Sequence, residues 1–371
     1  MPPPDDQRLL AEVCLSLVRG VGPRLRENLQ AAFGDAEQIL AQPAERLTGV
    51  EGVGATLAGR IASAREEIDA QSELDRAARH GIAIVLRDSD SYPRALREIP
   101  DPPPLLFVRG ELLPTDQLAV AIVGSRHATR YGFDQAERLA AALARAGVTV
   151  VSGMARGIDT AVHRGALGAG GRTIAVLANG LLKPYPPENA ELSLEIAKQG
   201  AVLSEAPLLR PPMSGAFPQR NRIISGVSLG VLVVEAADRS GSLITARHAY
   251  EQGREVFAVP GPVDSRLSKG CHKLIQDGAK LVATVDDVLE ELGPLVEGVP
   301  RPGGGQLRSV AELNLNDVEQ SVLQAIGAAP TQMDHVVQQS GVPVHRVLST
   351  LSVLEVRGLV RRVSGSLVAR V

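Results

Sequence analysis

Ala119-Val120-Ala121-Ile122-Val123-Gly124-Ser125-Arg126 is an unbroken apolar run that ends in a glycine, a hydroxyl and a guanidinium. A strand with one wet face alternates apolar and polar residues, whereas a strand covered on both faces is apolar throughout. The run therefore predicts a buried strand of a parallel sheet. The same signature returns at 148–151, 173–177, 201–203, 230–235 and 256–259, with helix-spaced segments between the runs. This alternation predicts an α/β domain over residues 81–293, an extended Rossmann-like parallel sheet with helices on both faces.

Ligands of such sheets collect where strands end and helices begin. Three of these turns carry the same chemistry: Gly124-Ser125-Arg126, Ser152-Gly153-Met154-Ala155-Arg156-Gly157-Ile158-Asp159, and Asp238-Arg239-Ser240-Gly241-Ser242. Each has a glycine for close backbone approach, a hydroxyl, and a following helix whose free N–H groups favour an anion. Together they predict a phosphate-binding rim. The usual enzyme fingerprints are absent from it. No GxGxxG follows the first strand and no GxxxxGK[ST] occurs anywhere, which excludes the common dinucleotide and ATPase loops. Gly226-Val227-Ser228-Leu229-Gly230 spells GxSxG, but a nucleophile elbow needs a strand before it and a helix after it, and here the order is reversed. Asp159 and His163 are one helical turn apart without a third ligand or nucleophile, so a helix contact explains them.

Phe217-Pro218-Gln219-Arg220-Asn221-Arg222 stands just ahead of Ile223-Ile224, which reads as the start of a buried element. Two readings of this stretch stay open: a ring on which a base stacks, beside arginines that grip phosphate, or a core phenylalanine with arginines that pair with nearby carboxylates. Charge distribution favours the first. The net charge of the chain is -3, yet residues 119–278 hold 18 basic against 13 acidic side chains, while residues 1–118 hold 13 against 19. The middle of the chain is the electropositive part.

With 371 residues, 44% hydrophobic and 22% charged, the chain has the composition of a folded protein of two to three domains. It contains no apolar run long enough for a membrane span, and MPPPDDQRLL lacks the features of a signal peptide. A cytoplasmic protein is expected. The two cysteines, Cys14 and Cys271, lie far apart, and the seven histidines form no metal-ligand pattern, so no disulfide, metal or cofactor is predicted. Residues 1–80 read as short helices punctuated by Gly20-Val21-Gly22 and Gly52-Val53-Gly54, turns like those of a helix-hairpin-helix (SAM-like) domain. With that region's acidic balance, modest DNA contact at most is expected from it. The proline-rich stretch 101–110 reads as a rigid extended linker. Residues 294–310 read as a flexible linker. Residues 311–371 have the outline of a winged helix, whose third helix would offer His345, Arg346 and Ser349.

The set AIVGSR (121–126), SGMARGIDTAVH (152–163), GLLKPYPPEN (180–189), FPQRNR (217–222), SGSLITAR (240–247) and VFAVPG (256–261) resembles the DNA-processing protein A (DprA, or Smf) family. The resemblance covers roughly residues 82–284, and so many motifs in order are highly specific. It implies a non-enzymatic protein that binds single-stranded DNA during natural transformation and loads RecA recombinase onto it, displacing single-strand-binding protein. It also implies that the central domain forms a homodimer. Carried over, Arg126 clamps a phosphate with help from N–H groups at Gly124, Ser125, Gly153, Gly241 and Ser242. Phe217 stacks on a base, Arg220 and Arg222 hold phosphates or the loop itself, and Asn221 orders that loop. Where the family commonly has a basic residue three positions before the phenylalanine, this chain has Ser214; Lys183 or Arg210 is the candidate replacement. His272 stands where an Asn is common.

Only 2% of the residues are aromatic and none is Trp, so binding is expected to be mostly to phosphate and strongly salt-sensitive. Two other functions compete. One is a phosphoribohydrolase-like enzyme using the rim for a nucleotide; the PGGxGTxxE helix start of those enzymes is absent. The other is a duplex-DNA regulator acting through the winged helix.

Overall fold

The computed structural model describes residues 4–293 and, apart from 316, 328, 357 and 365, residues 315–370. The chain forms two compact units, Met1–Val285 and Asp286–Val371.

The larger unit is built on a nine-stranded sheet. Its strands are β1 (Ile82–Leu86), β2 (Leu105–Gly110), β3 (Ala119–Gly124), β4 (Thr149–Ser152), β5 (Thr173–Val176), β6 (Ala201–Ser204), β7 (Gly230–Val234), β8 (Glu255–Ala258) and β9 (Lys280–Leu281), in the order β1-β2-β6-β5-β4-β3-β7-β8-β9. From β6 to β9 every pairing is parallel, and β1 and β2 add an antiparallel edge. The six apolar runs all form strands, each within a residue or so of its expected ends. The Rossmann-like class is therefore present.

The stretch 101–110 is a correction. Its prolines do exclude helix, but Leu105–Gly110 is no linker: it is β2, paired with both β1 and β6, with Phe107 opposite Ile84 and Ser204. The strand begins at the residue after Pro104, so no ladder N–H is lost to proline. β9, two residues long, had no legible signal.

Alternate residues of each strand feed opposite faces. Ala119, Ala121 and Val123 of β3 and Val231 and Val233 of β7 join Ile223 and Ile224 of the helix Ala216–Gly226, the following Val227, and Ala246 and Ala249 of Gly241–Glu251 in one apolar cluster. On the other face, Phe107, Ala175 and Val202 join the N-terminal helices through Leu15, Leu29, Ile39 and Ile61. The helices Pro4–Leu17 and Pro23–Phe33 thus share a core with the sheet.

The chain runs outward from β3 through β4, β5 and β6, then returns to β3's other side as β7. That reversal opens a crevice beyond the carboxyl ends of β3 and β7.

The smaller unit has helices Asp317–Gln324, Met333–Ser340 and Val344–Val356, and strands β10 (Thr331–Gln332), β11 (Val360–Ser364) and β12 (Leu367–Arg370) in the order β10-β12-β11. This is a winged helix. The expected linker 294–310 lies outside the described residues. On Val344–Val356, His345, Arg346 and Ser349 are exposed, and so are the apolar Val344, Leu348 and Val353. No helix among the described residues is long and apolar enough to cross a membrane.

Candidate nucleic-acid interface

At the reversal between β3 and β7 lies an open groove of about 880 Å³, lined by Arg126, Tyr185, Phe217, Asn221, Arg239 and Gly241 among others. Gly124 makes the crevice possible: a Cβ there would overlap the carbonyl of Val234 and the side chain of Ile158. Ser125 is buried, its Oγ accepts the amide of His127 at 3.2 Å, and its carbonyl accepts the amide of Ile158 at 3.1 Å. Glu235, at the end of β7, reaches back to accept the amide of Thr129 at 2.8 Å and the Thr129 hydroxyl. The turn that carries Arg126 is thereby fixed at both ends.

Arg126 itself is exposed and pairs with no carboxylate among the described residues. Its guanidinium lies 5.2 Å from the centre of the Phe217 ring, and the Tyr185 ring is 5.8 Å from Phe217, tilted by 55°. Arg156 stands 6.0 Å over Tyr185 and is held by the carboxylate of Glu188. The result is a row of cation, ring and ring along one wall, with Arg156 over Tyr185 but outside the lining. Rings offer faces to bases and free guanidiniums offer forks to phosphates. Opposite, Gly241–Glu251 begins with an exposed glycine, and Asn221 ties this helix to the wall by donating to the Gly241 carbonyl at 3.2 Å. Ser214 lines the groove and is exposed.

Several expected contacts are placed otherwise. Phe217 to Arg222 lie inside the helix Ala216–Gly226, with Pro218 in its first turn. A helix turns successive side chains by about 100°, so Phe217 and Pro218 face the groove while Arg220 and Arg222 point inward. Arg222 takes the second of the roles expected of it, not the phosphate contact: its side chain is 3% exposed and bonds Asp101 at 2.8 Å and Glu205 at 2.7 Å, so it braces the fold. Arg220 reaches the groove's floor but is 5% exposed and donates to the Val176 carbonyl at 2.9 Å. Gly153 is a correction. Its N–H donates to Asp159 Oδ2 at 3.2 Å, as does that of Ala155, and a Cβ would overlap the Arg220 guanidinium. That glycine makes room for a buried Asp159 and Arg220, not for a ligand. Burial pushes the Asp159 carboxyl up and the Arg220 guanidinium down to about 10, and each charge pulls the other back. Ser242 donates its N–H to Ser240 Oγ at 3.3 Å, so that amide is already capped. Lys183 is exposed and lies outside the groove lining. His163 is buried beneath the rim, its Nδ1 2.8 Å from the Thr173 hydroxyl. Asp159 and His163 are thus separate structural contacts.

Tyr185 and Arg239 were missed by reading the sequence. Both sit within stretches that stood out, GLLKPYPPEN and the turn before Ser240, yet only folding brings them onto the wall with Phe217 and Arg126.

The family described as DNA recombination-mediator protein A matches residues 83–293, and the DprA winged helix domain matches residues 308–366. Protein Smf of Escherichia coli is 43% identical over 286 residues, 77% of this chain and 76% of its own length. DNA processing protein DprA of Bacillus subtilis is 46% identical over 213 residues, 57% of this chain and 72% of its own. The crystal structure of DprA from Streptococcus pneumoniae superposes with a TM-score of 0.67 at 38% identity, covering 76% of this chain and 97% of that one. A DprA structure from Helicobacter pylori, described for its mode of binding single-stranded DNA, superposes with a TM-score of 0.50 at 32% identity over 54% of this chain and 92% of that one. The chain belongs to the DprA/Smf family of DNA recombination-mediator proteins.

Proposed function

We propose that the protein binds single-stranded DNA in the groove between β3 and β7, phosphates on Arg126 and the start of Gly241–Glu251 and a base on Phe217. One observation carries this reading. An unpaired, exposed guanidinium, Arg126, stands beside a half-buried ring that is open to solvent on a groove wall. Such a pair holds a phosphate and an unstacked base together, and a duplex presents no free base face. The groove is open, which suits a strand better than an enclosed small nucleotide. Its one lining carboxylate among the described residues, Asp159, is held by two backbone N–H groups, so we read the site as one that binds and does not catalyse.

Family membership and the single-strand binding described for the Helicobacter relative support a finer reading. The protein acts in the cytoplasm as a recombination mediator in natural transformation. As a homodimer it places two grooves on one strand, which raises avidity by effective concentration. It then loads RecA in place of single-strand-binding protein.

Fluorescence anisotropy of single- and double-stranded oligonucleotides over a salt series tests the reading. Wild type should prefer the single strand, and Arg126→Ala should weaken binding and lower the log-log salt slope by about 0.7, one phosphate contact on a single strand. Duplex binding equal to single-strand binding and untouched by Arg126→Ala would move the function to the winged helix. Release of base from a nucleotide monophosphate by the pure protein would assign an enzyme instead.

A further inference from the structure

The glycine turn at Gly20-Val21-Gly22-Pro23 has so far no role. It lines a second cavity of about 270 Å³, together with Arg26, Arg210, Gln219 and Arg220. This cavity and the strand groove are neighbours across one ridge. Arg220 lines both, and the start of Ala216–Gly226 separates them, with Ala216 and Gln219 on one side and Phe217 and Pro218 on the other.

The chemistry of the second cavity is that of an anion site. The helix Pro23–Phe33 starts on its wall with no side-chain cap, so the N–H groups of Gly22, Arg24 and Leu25 have no acceptor among the described residues. Uncapped helix starts attract anions. A second and independent observation points the same way. Arg26 and Arg220, each 5% exposed, line the cavity, and each keeps its Nε without a partner. Buried polar groups are ordinarily satisfied, and exceptions call for a missing ligand or a strained site. Arg210, half-buried on the same wall, has no ion-pair partner among the described residues. The one carboxylate on the lining, Glu205, is held by Arg222 at 2.7 Å, and the Glu12 that pairs with Arg26 lies off it.

We propose that this cavity is a second phosphate subsite, in which the N-terminal helices take a phosphodiester of the same DNA strand after it crosses the ridge at Phe217. The inference rests on the reading that the strand lies in the Arg126 groove. It makes the N-terminal region, despite its acidic balance, part of the binding path, and it limits the contribution to strands long enough to cross the ridge.

Gly22 allows a test that separates binding from stability. Its φ is -93° and a Cβ there would meet nothing within 4 Å, so Gly22→Asp and Gly22→Asn both fit. Either side chain caps the helix and stabilises it, but only Asp places a negative charge in the subsite. In the full-length protein, competition anisotropy compares oligonucleotides of about 4 and about 16 nucleotides. Gly22→Asp should weaken the long one about tenfold, the worth of one charge-assisted contact, and leave the short one unchanged. Gly22→Asn, which takes an N–H group of the helix start but adds no charge, should weaken the long one less and leave the short one unchanged. The subsite is overturned if Gly22→Asp binds the long strand as wild type does, if it weakens both lengths equally, or if Gly22→Asn weakens binding as much. Wild-type binding of both lengths by Arg126→Ala would instead overturn the groove reading beneath it.

Discussion

The rim of the groove and the layer directly beneath it are both rich in arginine, and they hold it in opposite states. On the rim, Arg126 and Arg239 are exposed and without a carboxylate among the described residues. Beneath, Arg220 and Arg222 are 5% and 2% exposed and are engaged by the Val176 carbonyl, Asp101 and Glu205, with the Asp159 charge alongside Arg220. A free guanidinium binds whatever anion arrives, whereas a buried one costs stability unless its partners stay in place. The rim should therefore govern affinity and the layer should govern folding, although Phe217, Arg220 and Arg222 lie within six residues of one another.

The sharpest separation should come from Asp159→Ala. It removes the charge facing Arg220 and the acceptor of two backbone N–H groups, and removing one partner of a buried charged pair costs about 3–5 kcal/mol. Urea unfolding would measure it, and a loss below 1 kcal/mol would deny the layer its structural role. His163 gives the next effect. Thr173 donates its hydroxyl proton to the Val150 carbonyl at 2.7 Å, so His163 Nδ1 must be the donor to Thr173 Oγ1, and Nε2 is left bare and unpartnered. Burial lowers its pKa from the usual 6.5 to about 3. The native imidazole stays neutral while the unfolded one protonates, so this stability is full above pH 6.5 and is lost as pH falls toward 3. Between pH 7 and pH 5 the loss is about 2 kcal/mol, and it should be absent from the pH profile of His163→Gln. The smallest stability effect belongs to the rim, where Arg126→Ala should move unfolding by no more than about 0.5 kcal/mol while it impairs binding. Comparable losses of stability from rim and layer substitutions would erase the distinction.

The sheet was legible because burial on both faces leaves an apolar run with little ambiguity, and Gly124-Ser125-Arg126 was legible because strand-end turns have few purposes. β2 was obscured by Pro102-Pro103-Pro104, which stop short of the strand. The inward roles of Arg220 and Arg222 had no local signal. Their partners Val176, Asp101 and Glu205 are distant in sequence, and which side of Ala216–Gly226 faces the core is decided only when that helix docks on β3 and β7. Tyr185 was hidden for the same reason, since its value lies in a ring 32 residues away. Gly153 carried the right signal, close approach, for the wrong neighbour.

The chain contains no tryptophan, so Phe217→Trp creates a single reporter at the place where a base is to stack. Titrating this variant with single-stranded DNA should quench indole emission in a saturable way, with the same midpoint as anisotropy on the same oligonucleotide, and high salt should reverse both together. Binding of the strand by anisotropy with no change in indole emission would contradict the account, because the strand would then lie elsewhere than on Phe217.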